Sequence, residues 1–209
     1  MVAKVVCISR AMFTGAESIA KEVAADLGFR YVDEEIVARA AEMKHLTAAE
    51  VASSERRQSF LKQVVVDIAD AGSDLAAYIT NSKEARRPSD KMRDLIREAI
   101  LDTAKEGNVV IVAHAASYAL ARSRQLLRVL ITGSEFGRVT KWSLTSGGAS
   151  PRQAAEEIRE SDAARAAYLE RFYDVKQELA EHYDITLSVD YFQPAAMRAL
   201  IVSAARLVD

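Results

Sequence analysis

Asp162, Arg165 and Tyr168 are spaced by three residues and share one face of any helix that carries them. A guanidinium there, joined by Arg138 before it and Arg171 after it, offers the planar forks that grip phosphate oxygens and stabilise charge during phosphoryl transfer. Solvated helix charges have the same composition, so placement in the fold must decide between the two readings. A second cluster is Arg10 followed by Thr14-Gly-Ala-Glu17-Ser18, in which a hydroxyl and a carboxylate stand at capping-box spacing around a glycine. Asp33 and His114 each close an apolar run. Asp33 reads either as a ligand contact at a strand end or as the N-cap of a helix beginning near residue 34. His114 reads either as a proton carrier or phosphate contact or as a structural histidine. No Ser-His-Asp or Cys-His arrangement points to a hydrolase, and His45 and His182 lack metal-ligand partners at useful spacing, so no metal-ligating side-chain cluster is expected.

Composition narrows the setting in which these groups act. The chain has 209 residues, half of them hydrophobic, which suits one domain with a sizeable core. Lys and Arg number 28 against 30 for Asp and Glu, so no global field draws the protein onto nucleic acid or an anionic membrane, and anionic ligands need local basic groups. The apolar run at the start ends at Ser9 and Arg10 without a small-residue cleavage site, and no stretch reaches the roughly 18 apolar residues of a membrane helix. A cytoplasmic location is the expectation. The lone cysteine, Cys7, lies inside the first apolar run and reads as core.

The elements that must position the chemistry follow from hydrophobic period. Residues 2–8 form a β-rich run without strict alternation, the pattern of a strand buried on both faces of a parallel sheet. A helix over residues 15–27 follows, with Ile19, Val23 and Leu27 at four-residue spacing and Gly28 as its stop. Further strands are expected at 29–33, 108–113, 127–132 and 185–189, a short helix at 115–121, and a last helix at 194–208. Residues 34–105 read as nearly all helix, with a capping box at Thr47-Ala-Ala-Glu50 and breaks near Gly72, Asn81 and Pro88. Residues 135–181 read as helix broken at 146–150, its second part opened by Ser150, Pro151 and Gln153 as cap, first helical residue and capping box. Strands alternating with helices describe an α/β fold, a three-layer parallel sheet flanked by helices.

Three stretches carry a family resemblance: Ile8-Ser-Arg10 through Ala24 with Gly28-Phe-Arg-Tyr-Val-Asp33; Asn108-Val-Val-Ile-Val-Ala-His114-Ala-Ala-Ser-Tyr118; and Leu127 through Arg138 to Asp162-Ala-Ala-Arg165-Ala-Ala-Tyr168, then Tyr183-Asp184. In these the chain resembles the cytidylate kinase-like family, whose members share the P-loop nucleoside monophosphate kinase fold. The resemblance implies a single domain with its core at 1–33, 106–137 and 182–209, a helical cap about 34–105 and a lid about 138–171. It implies Arg10, Thr14, Gly15 and Ser18 at the nucleotide phosphates, Asp33, Arg39 and His114 at the monophosphate substrate, and Arg138, Asp162 and Arg165 at the reacting centre. His114 stands where relatives carry an arginine. ATP and magnesium are the implied cofactors if the protein is active.

A working phosphate loop, G-x-x-x-x-G-K-[ST], wraps phosphates with backbone N–H groups, reaches them with a lysine and holds magnesium with a hydroxyl. In register this chain offers Arg10, Gly15, Ala16 and Glu17, so an alanine replaces the lysine and a carboxylate enters the first helical turn, where an anionic ligand would otherwise be attracted. Arg10 can supply a compensating cation, or only pair with a nearby carboxylate. Two functions therefore stand open: phosphoryl transfer from ATP to a CMP-like acceptor, and a catalytically inactive relative serving as a regulatory or interaction module. A homodimer packed through the alanine-rich residues 154–167 is a third arrangement.

Overall fold

Alternate residues of β1 (Val5–Arg10) serve two cores, which is why the strand shows no polar face. Val6 and Ile8 point into one cluster and Val5 and Cys7 into the other, as the two-residue period of a strand dictates. The computed structural model describes residues 3–33, 90–113, 116–145 and 150–207. Residues 34–89, which hold most of the expected cap with Arg39, His45 and the Thr47 capping box, lie outside the described residues, as do His114 and the glycines at 147 and 148.

The other strands are β2 (Arg30–Asp33), β3 (Val109–Val112), β4 (Leu126–Thr132) and β5 (Ile185–Ser188). They form one sheet in the order β2-β3-β1-β4-β5, and every pair is parallel. Cys7 sits level with Ile111 on one side and Arg128 on the other. The chain leaves β1 towards β2 on one side and later builds β4 on the other, so the carboxyl ends of β1 and β3 flank the point where the winding reverses, the place where ligands of such sheets gather.

Helices cover both faces. On one lie α1 (Ala16–Leu27) and, late in the chain, the helix Pro194–Leu207, their residues Ile19, Val23, Met197 and Ile201 packing on Val6, Ile8, Val129 and Ile131. On the other lie α2 (Asp90–Glu106) and the short α3 (Ala116–Ala119), with Ala99, Ile100 and Ala116 packing on Cys7 and Ile111. Cys7 is fully buried, and burial pushes its thiol up to about 12, which leaves it inert at neutral pH. After β4 come α4 (Glu135–Thr145) and α5 (Pro151–Tyr173), and Pro194–Leu207 is α6.

The α/β class, the parallel sheet and the flanking helices agree with the sequence reading, and strand ends differ from it by a few residues. Three local expectations are corrected. α1 opens not on a Thr14 capping box but on Gly15, in the left-handed region at φ 71°, with no side-chain cap. Ser150 does precede α5, but it too makes no side-chain cap bond, so the box with Gln153 does not form. The helix read as far as residue 181 stops at Tyr173, where Asp174 turns left-handed at φ 55° and only a short 3-10 turn follows at Ala180–His182.

Candidate functional site

The residues singled out by chemistry collect at the carboxyl edge of the sheet. Arg10 ends β1, Asp33 ends β2, and Gly133 and Ser134 leave β4 towards α4, which carries Arg138. Behind the Arg10 loop, Ser9 and Ser117 share a hydrogen bond of 3.1 Å between buried hydroxyls, which satisfies both groups inside the core.

The loop between β1 and α1 is shaped by two positive-φ residues, Phe13 at 60° and Gly15 at 71°. A side chain at Phe13 resists that conformation, so its contacts must hold it there; its ring packs on Trp142 of α4 at a centroid distance of 5.5 Å. Thr14 is buried and its hydroxyl donates to the Ala11 carbonyl at 2.9 Å, which turns it into the loop. Ala16 is 0% exposed and belongs to the core. Glu17, in the first turn of α1, pairs with Arg10 at 2.5 Å from Oε1 to Nε. Ser18 is exposed on the same turn.

Two further arginines are held by carboxylates. Arg138, with a side chain only 6% exposed, donates from Nη1 and Nη2 to Asp162 at 2.9 and 2.5 Å. Its Nε is buried with no hydrogen-bond partner among the described residues. Arg165 donates to Glu178 at 2.8 and 2.6 Å, to the Tyr183 hydroxyl at 3.2 Å and to the Arg10 carbonyl at 3.3 Å. The Tyr183 hydroxyl in turn donates to Glu178. Burial alone would raise the Glu178 carboxyl, but the Arg165 fork outweighs it and holds the group below its ordinary value. Burial pushes the Tyr183 phenol upward, so it stays a donor. Arg138, Asp162, Arg165 and Glu178 line one cavity of about 320 Å³ with Ala11 and Thr132.

A fourth carboxylate fixes the approach of α4. Asp190, just past β5, accepts from the Ser134 N–H at 2.7 Å and the Ser134 hydroxyl at 3.0 Å, and these bonds hold its carboxyl below the ordinary range. It lies so close to Gly137 that a Cβ there would overlap its Oδ1.

The structure thus brings together Arg10, Thr14, Gly15, Ser18, Arg138, Asp162 and Arg165, while Asp33 ends β2 on the same sheet edge with β3 between it and β1; Arg171 is exposed and lies over the Phe172 ring at 4.7 Å. Asp162 and Arg165, although on one helix, take separate partners. Sequence reasoning missed Glu178 and Lys141. Lys141 follows Arg138 by three residues, a helical spacing that was legible; Glu178 stands in an irregular segment and carried no pattern. Ala154 and Ala164 are buried in the chain's own packing, so only part of the alanine-rich helix face is open. Among the described residues, no helix is long and apolar enough to cross a membrane.

Solved structures of similar architecture include a gluconokinase and an uncharacterized protein. An uncharacterized protein from Eubacterium ventriosum ATCC 27560 aligns over 96% of this chain and 97% of its own with a TM-score of 0.67 and 15% identity. A gluconokinase from Sinorhizobium meliloti 1021 aligns over 98% and 92% with a TM-score of 0.55 and 10% identity, and TT1252 from Thermus thermophilus over 100% of both chains with a TM-score of 0.50 and 15% identity. At such identities the likeness establishes the fold, that of the P-loop kinases, and not an activity. A search of curated proteins finds no match to the chain. The family model of the cytidylate kinase-like family matches residues 5–191, and the chain belongs to that family.

Proposed function

We propose that the chain is a cytoplasmic, ATP-dependent phosphotransferase whose acceptor is a nucleoside monophosphate of the CMP type. The observation that carries this reading is the convergence of three arginines from three elements at one sheet edge: Arg165 reaches the backbone carbonyl of Arg10 at 3.3 Å and shares a cavity with Arg138. Guanidinium groups so placed can spread the charge of a phosphoryl group in flight. Gly15, left-handed and without a Cβ, fits the close approach of a phosphate to the loop. ATP would supply the phosphoryl group and magnesium the neutralising charge; Arg10, Ser18 and the backbone of Thr14 and Gly15 would hold them, since the Thr14 hydroxyl is already bonded to the Ala11 carbonyl. Asp33, Arg39 and His114 are proposed for the acceptor, and residues 138–171 for a lid over the phosphates.

The carboxylates set a threshold for this chemistry. Asp162 is 45% exposed on its side chain and can give up Arg138 to a phosphate while remaining solvated. Glu178 is 21% exposed and also bonded to Tyr183, so Arg165 is the more firmly held. We therefore assign Arg138 the direct contact and Arg165 the positioning of the Arg10 loop.

A second reading, a catalytically inactive kinase-fold protein acting as a regulatory or interaction module, is favoured by one specific observation: Glu17 already occupies Arg10 and puts a negative charge in the first turn of α1. Calorimetric titration with magnesium ATP and with CMP, followed by a coupled test for ADP formation, separates the two. Binding with CMP-dependent ADP formation supports the phosphotransferase; no binding of either nucleotide at millimolar concentration sinks it and leaves the inactive module.

A further inference from the structure

The residue at position 16 cannot be the loop's cation, because it is an alanine with no exposed surface. A cation nonetheless stands at the loop, and it arrives from another helix. A Cβ built on Gly15 would meet the Lys141 side chain, with Cε at 3.3 Å and Nζ at 3.4 Å. Lys141 lies one turn beyond Arg138 and next to Trp142 on α4, so the three project from adjoining positions on the helix. Trp142 packs on Phe13 of the loop itself, and Asp190 fixes the other end of α4 through Ser134. Trp142 therefore holds α4 against the loop while Asp190 ties the start of the helix to the end of β5, and Lys141 sits beside Gly15 between these fixed points.

We infer that Lys141 supplies the phosphate-loop cation that position 16 lacks, binding the polyphosphate of the donor nucleotide from α4 across Gly15. This rests on the phosphotransferase reading above and names a further residue of that site. A lysine suits the task because its ammonium is a compact charge on a flexible stem that can follow a phosphate as it settles. Partial burial lowers the Lys141 amine from its ordinary value. Placing the cation on α4 also ties donor binding to the position of that helix, which a lysine inside the loop would not do.

The test is calorimetry on the full chain with two probes, magnesium-free ATP and inorganic tripolyphosphate, for the natural sequence, Lys141→Ala, Lys141→Arg and, as control, Lys105→Ala at the opposite end of the sheet. Loss of a charge-assisted contact predicts about 10- to 100-fold weaker binding in Lys141→Ala. Lys141→Arg should recover most of it, and Lys105→Ala should leave it unchanged. A second measurement is independent of any variant's folding: amine-reactive labelling read by mass spectrometry, in which tripolyphosphate should protect Lys141 and not Lys105. Unchanged affinity in a folded Lys141→Ala, or no protection of Lys141 while the natural chain binds, overturns this inference and leaves the phosphotransferase reading standing. A natural chain that binds neither probe overturns both. ATP binding tighter than tripolyphosphate marks a nucleotide as the ligand, and equal binding marks the polyphosphate alone; Lys141 is the cation in either.

Discussion

Replacing Glu17 by Gln should strengthen phosphate binding, an unusual outcome for a change in a ligand site. The carboxylate acts against an incoming phosphate in two ways: it occupies Arg10 at 2.5 Å, and it stands in the first turn of α1, where the helix dipole would otherwise favour the ligand's charge. The dipole contribution is about 0.3–1 kcal/mol. Repulsion between Glu17 and a phosphate roughly 5 Å away adds about 1–3 kcal/mol for effective dielectrics between water and a protein surface. The Glu17 side chain is 44% exposed, which places the effect near the lower ends of those ranges. About 2 kcal/mol remains once the amide's weaker hold on Arg10 is included, or roughly a 30-fold gain in affinity.

The variant should lose little stability, because a half-exposed ion pair contributes about 0–1 kcal/mol. Calorimetry with tripolyphosphate at two salt concentrations is the assay, and the gain should shrink at the higher one, since the effect is electrostatic. A folded Glu17→Gln whose affinity stays within threefold of the natural chain would show that Glu17 does not oppose the ligand. Weaker binding would be more damaging, because it would make the carboxylate a positive participant, for instance in holding magnesium.

Three other perturbations probe the surroundings. Ala16→Lys, which restores the residue of a working phosphate loop, should destabilise the protein by about 1–3 kcal/mol and not create a strong site, because position 16 is packed in the core; a melting curve checks it. Arg165→Met should cost about 2–4 kcal/mol by leaving the mostly buried Glu178 without its main partner, and should also flatten the acid limb of stability. The sign follows from a lowered Glu178 carboxyl: its contribution is present above its ordinary 4.5 and is lost as the pH falls through the lower folded value, so denaturant melts between pH 6 and pH 3 should show that loss in the natural chain and much less in the variant. Gly137→Ala should displace Asp190 from Ser134 and lower stability by about 1–2 kcal/mol, with a matching loss of protection from hydrogen exchange at the start of α4.

Much of the fold was legible because strand burial writes itself into composition. β1 and β3 carry unbroken apolar runs, and both proved buried on the two faces of the sheet, while Gly28 stopped α1 through the left-handed turn that glycine favours. The capping boxes at Thr14 and Ser150 misled because their spacing fits two geometries. With Gly15 left-handed, Thr14 turns back to the Ala11 carbonyl and is no longer placed to cap the helix. Asp174 ended α5 with neither glycine nor proline to announce it, and the charged residues after it have the same composition as a helix face. The arginines and Asp162 were found from spacing and a nearby carboxylate was foreseen for Arg10, but the pairing of Arg138 with Asp162 was not, because it joins residues 24 apart on two helices and leaves no local pattern.

Those partners change what the arginines mean. Each of Arg10, Arg138 and Arg165 faces one carboxylate, so these three pairs are neutral as they stand, and on the phosphotransferase reading a phosphate must displace a carboxylate to reach one of these guanidinium groups. The three exchanges are unequal. Asp162 and Glu17 are nearly half exposed and regain water on release, whereas Glu178 would be left buried beside Tyr183, which is the costly case. On that reading a ligand should open the Arg10–Glu17 and Arg138–Asp162 pairs and leave Arg165–Glu178 closed, with Arg165 keeping its bond to the Arg10 carbonyl. On the phosphotransferase reading, the loop's backbone is held by an arginine that keeps its carboxylate, and the arginines that meet phosphate beside Lys141 are those whose carboxylates can return to water.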